Sequence, residues 1–130
     1  MTVFRVEHKV DEIGPYRIDW QWMKTKESHC VSNGHPGPRD DEFIQASTSE
    51  LKDVFFDFVS HFHVTETFVS LHYGFVSMES LTSWFSKEEY FELLKKEFIV
   101  RVYEAKEWII LKKQVLFKKG QCVTEIEKIY

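Results

Sequence analysis

The chain reads as an α+β fold: a mostly antiparallel or mixed sheet with three short helices packed on it. Three observations predict this. Apolar residues alternate with a period of two near both ends of the 130-residue chain. A 3.6-residue apolar period occupies its middle. The order is mixed: strand, strand, loop, helix, strand, two short helices, then two or three strands. No internal repeat or low-complexity tract interrupts it.

The segment "VFRVEHK" (3–9) puts Val3, Arg5, Glu7 and Lys9 on one side and Phe4, Val6 and His8 on the other, a strand pattern. Gly14-Pro15 makes a turn. "RIDWQWM" (17–23) alternates again, with Ile18, Trp20 and Trp22 on one side. Residues 24–42 hold Asn33-Gly34 and Pro36-Gly37-Pro38, which oppose regular structure. A loop this long is a candidate lid or binding loop, with a mobile surface loop as the alternative.

Leu51, Val54, Phe55, Phe58, Val59 and Phe62 line one face of a helix that Ser49 would cap and Glu50 would suit in its first turn. "ETFVSLHYGFVS" (66–77) reads as a strand broken at Gly74. Ser77 caps a short helix that buries Leu81, Trp84 and Phe85. Ser86 and Glu89 form a capping box, which opens a helix running to about Glu97 with Tyr90, Phe91, Leu93, Leu94 and Phe98 toward the core. "FIVRVYEA" (98–105) is a strand, "KEWIILKKQVLFKK" (106–119) is one long strand or a pair, and "CVTEIEKI" adds a last edge strand.

A chain with 43% hydrophobic residues and 12 Phe builds one domain, 1–130, without a disulfide or metal staple. The net charge of −4 makes nucleic acid an unlikely partner. Four lysines between 112 and 119 read as protection for an edge strand. Cys30 and Cys122 lie far apart and read as free thiols of a reducing cytoplasm. No apolar run approaches the roughly 18–20 residues of a membrane span, and no export signal is visible. His61, His63 and His72 lack zinc spacing, so no metal site is expected. The nucleophile elbow and the glycine-rich phosphate loops are absent.

The remaining motifs are "FRVEH", "GPYR", "HPGPRDD", "YGFVSMESLTSWF" and "QVLF". Together they resemble a family of small bacteriophage and bacterial proteins, in a layout similar to the ADP-ribosyltransferase fold. The resemblance implies that Arg5 holds ribose or pyrophosphate, that Ser77 is the second-motif serine, and that Gln114 stands where a catalytic Glu belongs. Glutamine keeps the shape of that carboxylate without its charge, so transfer chemistry would need another acid, with Glu7 as the substitute. His8, Tyr16, His35 and Phe75 complete the candidate ligand-binding set.

Two functions follow. The first is a cytoplasmic, phage-encoded binding protein for a host protein or a nucleotide-type ligand, which would suit an inhibitor of host defence. The alternative is an ADP-ribosyltransferase-like enzyme that binds NAD as its cofactor. A plainer reading stands beside both: Arg5 and Glu7 on a solvent face, Ser77 as a helix cap, Gln114 as an exposed strand residue, and Trp84 and Phe85 in the core.

Overall fold

A computed structural model describes residues 1–10, 12, 14, 42–61 and 70–130. The expected strand at 17–23, Tyr16, Cys30, His35, His63 and nearly all of the 24–42 loop lie outside the described residues. Among the described residues the elements are β1 (Thr2–His8), β2 (Phe43–Ala46), α1 (Ser49–His61), β3 (Leu71–Gly74), α2 (Met78–Trp84), α3 (Lys87–Lys95), β4 (Phe98–Glu104), β5 (Trp108–Leu111), β6 (Val115–Lys118) and β7 (Cys122–Ile126). The fold is α+β, as the pattern predicts, and the described strands all pair antiparallel.

The expected single sheet is divided in two. One sheet has the order β1-β4-β7 and the other β2-β5-β6-β3. They are stitched where Phe4 and Phe75 exchange backbone hydrogen bonds of 2.8 and 2.7 Å. Gly74 permits that approach: a Cβ there would lie 2.5 Å from Val3 Cγ1 and 3.0 Å from the Phe4 carbonyl oxygen. The sequence marks Gly74 as a strand breaker, and the structure shows it to be a point of close contact between the sheets.

The alternation of β1 decides what each face meets. Phe4 and Val6 turn toward α2 and α3, where Phe75, Leu81, Trp84, Phe85, Tyr90, Leu93, Phe98 and Val100 form one core. Each such apolar side chain contributes about 1.5–3 kcal/mol when fully buried. On the second sheet, Leu51 and Phe55 of α1 pack on Leu71, Ile109, Leu111 and Leu116. Val3, Tyr103, Ala105, Val115 and Phe117 form a third cluster, joining the opposite face of β1 and β4 to β6.

The caps follow local chemistry, with one correction. The Thr48 hydroxyl, not Ser49, caps α1 by accepting from the Leu51 N–H at 3.1 Å, because Ser49 is already the first helical residue. Ser77 caps α2 by accepting from the Ser80 N–H, and the Ser86–Glu89 capping box opens α3 with both of its bonds made. α3 ends at Lys95, and Glu97 turns the chain with φ of 69°. Phe91, expected in the core, is 41% exposed, because Tyr90 and Leu93 occupy the inner face of α3 and Phe91 is rotated away from it.

The lysine-rich segment also departs from expectation. It forms a hairpin, β5–β6, closed by the Leu111 N–H donating to the Gln114 carbonyl at 2.9 Å. β6 lies inside its sheet rather than at an edge, so its flanking lysines do other work. Among the described residues β7 is an edge strand, as expected. β2 has no clear alternation and is mostly exposed; its pairing with β5 places it.

Candidate functional site: a buried ion cluster and an open cleft

Arg5 and Glu7 share the β1 face that looks away from the helices, and both are buried. Glu7 is fully enclosed and sits at the centre of a cluster. Its Oε2 accepts from Arg5 Nε at 3.0 Å and faces Lys119 Nζ at 2.8 Å. Its Oε1 accepts from Arg101 Nη1 at 3.3 Å and from the Tyr103 hydroxyl in a short bond. Arg5 Nη1 continues to the Tyr73 carbonyl of β3 at 2.7 Å. Arg101 donates to the Lys9 carbonyl at 2.7 Å and to Glu125 of β7 at 3.2 Å. The carboxylate thereby ties β1 and β4 to β3 and to the chain just past β6.

Burial works to raise the Glu7 pKa. Hydrogen bonds from Lys119 and Tyr103, with the charges of Arg5 and Lys119, outweigh it and hold the carboxyl below its ordinary value. Tyr103 moves the other way: burial and the Glu7 carboxylate push its hydroxyl up. Glu7 therefore stays charged, with both oxygens engaged. A buried carboxylate satisfied in this way fixes geometry.

Arg101, Tyr103 and Lys119 escaped the sequence reading. One signal was present: Arg101 interrupts "FIVRVYE", and a charge inside so apolar a strand is rarely buried without a partner.

The second site is a cleft of about 510 Å³ between α2 and the β5–β6 turn, lined by Glu79, Ser80, Ser83, Trp84, Lys112 and Lys113. Its volume falls within the range of small-molecule pockets. α2 supplies one wall because Ser77 starts the helix at a point that turns Glu79, Ser80 and Ser83 outward while Leu81 and Trp84 go inward. The turn supplies the other wall, where Lys112 and Lys113 are exposed. Two ammonium groups, a carboxylate, two hydroxyls and part of the largely buried Trp84 line it.

The structure distributes the sequence candidates among these places. Arg5 and Glu7 are in direct contact within the buried cluster. His8 lies on the helix side of β1, its ring edge-on to Phe98 at 5.4 Å and its Nδ1 accepting from the Val10 N–H at 3.2 Å. Phe75 is a core ring against Trp84 and Phe85. Ser77 caps the helix that walls the cleft, and Gln114, 2% exposed, sits in the turn beside Lys113. Tyr16 and His35 lie outside the described residues. Among the described residues no His, Cys, Asp and Glu group is arranged to hold a metal ion, and no helix is long and apolar enough to cross a membrane.

Fold and site together define a small α+β protein of two stitched sheets, with a closed ion cluster and an open, charged cleft. Residues 1–129 match the family described as Bacteriophage T4 Y00F protein, and the chain belongs to that family of phage proteins. It is similar to an "Uncharacterized 19.7 kDa protein in motB-dexA intergenic region" of Enterobacteria phage T4, at 33% identity over 91 residues covering 65% of this chain. The chain matches 55% of that relative's length. No solved structure matches. The phage origin implied by the motifs is thus correct at the level of the family, but the ADP-ribosyltransferase likeness is overturned: the matching family is the Y00F family, and no ADP-ribosyltransferase family appears. The motifs behind that likeness were short. Much of what they encode is local structure: the β1 alternation, the Ser77 cap and the β5–β6 turn.

Proposed function

We propose that this phage protein is a binding module of the host cytoplasm that holds a nucleotide-type ligand in the cleft between α2 and the β5–β6 turn. The observation that carries this reading is the composition of the cleft: about 510 Å³ with two exposed lysines on one wall and Glu79, two serines and Trp84 on the other. Ammonium groups attract a phosphate, and hydroxyls and a carboxylate hydrogen-bond a sugar or base edge. The overall charge of −4 directs this cationic wall toward a small anion rather than a nucleic-acid backbone.

The test is calorimetric titration of the full chain with AMP, GMP, CMP and UMP. At least one should give saturable heat. The double variant Lys112→Glu, Lys113→Glu should lose that heat while keeping its Tm, because both side chains are exposed and surface changes of this kind usually shift stability by about 0.5 kcal/mol or less. Absence of saturable heat with all four nucleotides at millimolar concentration rejects the reading.

A further inference from the structure

We infer that the segment Glu127–Tyr130 is a strap that sets the α2 wall of the cleft, with Tyr130 as the positioning residue. This rests on the cleft being a nucleotide site and adds a regulation of that site by a residue outside its lining.

α2 has only seven residues, Met78–Trp84. A helix of two turns is not stable by itself and depends on what holds its ends. Its start is held by Ser77, whose hydroxyl accepts from the Ser80 N–H at 3.1 Å. Its last turn carries no basic residue to bond the final carbonyls or to offset the helix dipole. Tyr130 supplies what that end lacks. Its hydroxyl donates toward the Thr82 carbonyl at 3.2 Å and to the Phe85 carbonyl in a short bond. The direction of both contacts is fixed, since a carbonyl oxygen only accepts. The two carbonyls bracket Ser83 and Trp84, which line the cleft.

The strap is anchored along its length. The Tyr90 hydroxyl donates to the Glu127 carbonyl at 2.6 Å, and the Glu127 carboxylate meets Lys9 Nζ at 2.9 Å. Ile129 packs against the core beneath α2 and α3. The Tyr130 ring lies 6.1 Å from that of Tyr90 and 6.4 Å from that of Phe91. The chain leaving β7 thus crosses α3 and reaches the last turn of α2. Tyr130 is 37% exposed, so its bonds can open locally while the core stays closed. Docked, the strap holds the Ser83–Trp84 wall opposite the lysine turn. Lifted, it lets the last turn of α2 fray, and the wall loses its shape. By linkage, a ligand that needs the formed wall also favours the docked strap.

The experiment compares the full-length wild type with Tyr130→Phe, which keeps the ring and removes only the hydroxyl. Amide hydrogen exchange reads the wall directly. The Phe85 N–H, which donates to the Leu81 carbonyl at 2.9 Å, should exchange about three- to tenfold faster in the variant, the change expected for one lost hydrogen bond. The Leu81 N–H, which donates to the Ser77 carbonyl at the other end of α2, should change little. In calorimetric titration with AMP, GMP, CMP and UMP, the variant should bind more weakly by a similar factor. A nucleotide that binds should in turn slow Phe85 exchange in the wild type. Thermal unfolding confirms that the variant is folded. The Lys112→Glu, Lys113→Glu double variant should lose binding and leave Phe85 exchange as in the wild type, which separates the strap from the ligand contacts. Unchanged Phe85 exchange in Tyr130→Phe overturns the inference. Faster exchange with unchanged affinity also overturns it, since the hydroxyl would then serve the helix alone. No binding of any nucleotide by the wild type rejects the reading of the cleft and with it the role of Tyr130 in affinity, while the exchange ratio still decides whether Tyr130 braces α2.

Discussion

The protein holds charge in two ways. Around Glu7, three cations and a tyrosine close on one carboxylate that is wholly out of water. In the cleft, Lys112, Lys113 and Glu79 are exposed on facing walls. The cluster has used its hydrogen-bonding capacity on the protein itself, so it stabilises an arrangement of strands. The cleft leaves its charged groups open to water. Charged residues alone therefore do not mark a site. What matters is whether they are closed off from water.

Substitutions can break that contrast, beginning where the effect is greatest. Glu7→Ala should cost about 3–5 kcal/mol, since it strands three buried or half-buried cations, whereas the cleft lysines should be nearly neutral to folding. Chemical denaturation of both variants measures the gap, and a Glu7 variant as stable as wild type would show the cluster to be incidental.

Protonation is the same lesion made reversibly. Because the folded carboxyl of Glu7 is held below its ordinary value of 4.5, its contribution is complete above that pH and is lost as pH falls through the folded pKa. A Glu7→Gln variant should therefore show a shallower loss of stability below about pH 4.5 than the wild type, read from denaturation midpoints across the acid range.

Gly74→Ala tests the stitch that brings the two sheets together beside the cluster. A methyl group would overlap Val3 Cγ1 and press on Phe117 and the Phe4 carbonyl, costing about 1–3 kcal/mol. Calorimetric Tm should fall accordingly, and an unchanged Tm would mean that the sheets can separate freely at this point.

The smallest change sharpens the picture from the other side. Glu97 holds φ of 69° after α3, and its exposed carboxylate only approaches His8 Nε2, at 3.8 Å. Glu97→Gly relieves a left-handed residue and should raise stability by up to about 1 kcal/mol. A fall would show that the Glu97–His8 contact matters more than the backbone strain.

Much of the fold was legible in the sequence because it rests on near neighbours. The alternation of β1 sorted Arg5 and Glu7 from Phe4 and Val6, and the observed core follows that division. Ser77, Ser86 and Glu89 act on amides three residues away, so their caps could be read directly. The site was less legible. Glu7 was singled out, but its partners Arg101 and Tyr103 lie 94 and 96 residues further along the chain. Lys119 was read as edge protection because nothing local shows that β6 lies inside its sheet. The cleft likewise needs α2 and the β5–β6 turn to meet, and no spacing along the chain announces that.

By itself, then, the sequence determined the α+β class, two of the three helix starts, and which side of β1 is apolar. These depend on hydrogen bonds and side-chain periods spanning a few residues. Only the tertiary structure decided that the strands form two sheets joined at Phe4 and Phe75, that Glu7 is enclosed rather than solvated, and that the lysines of one turn face the serines of a helix. Burial and charge pairing are set by what the rest of the chain brings alongside, and pairing between distant strands fixes that.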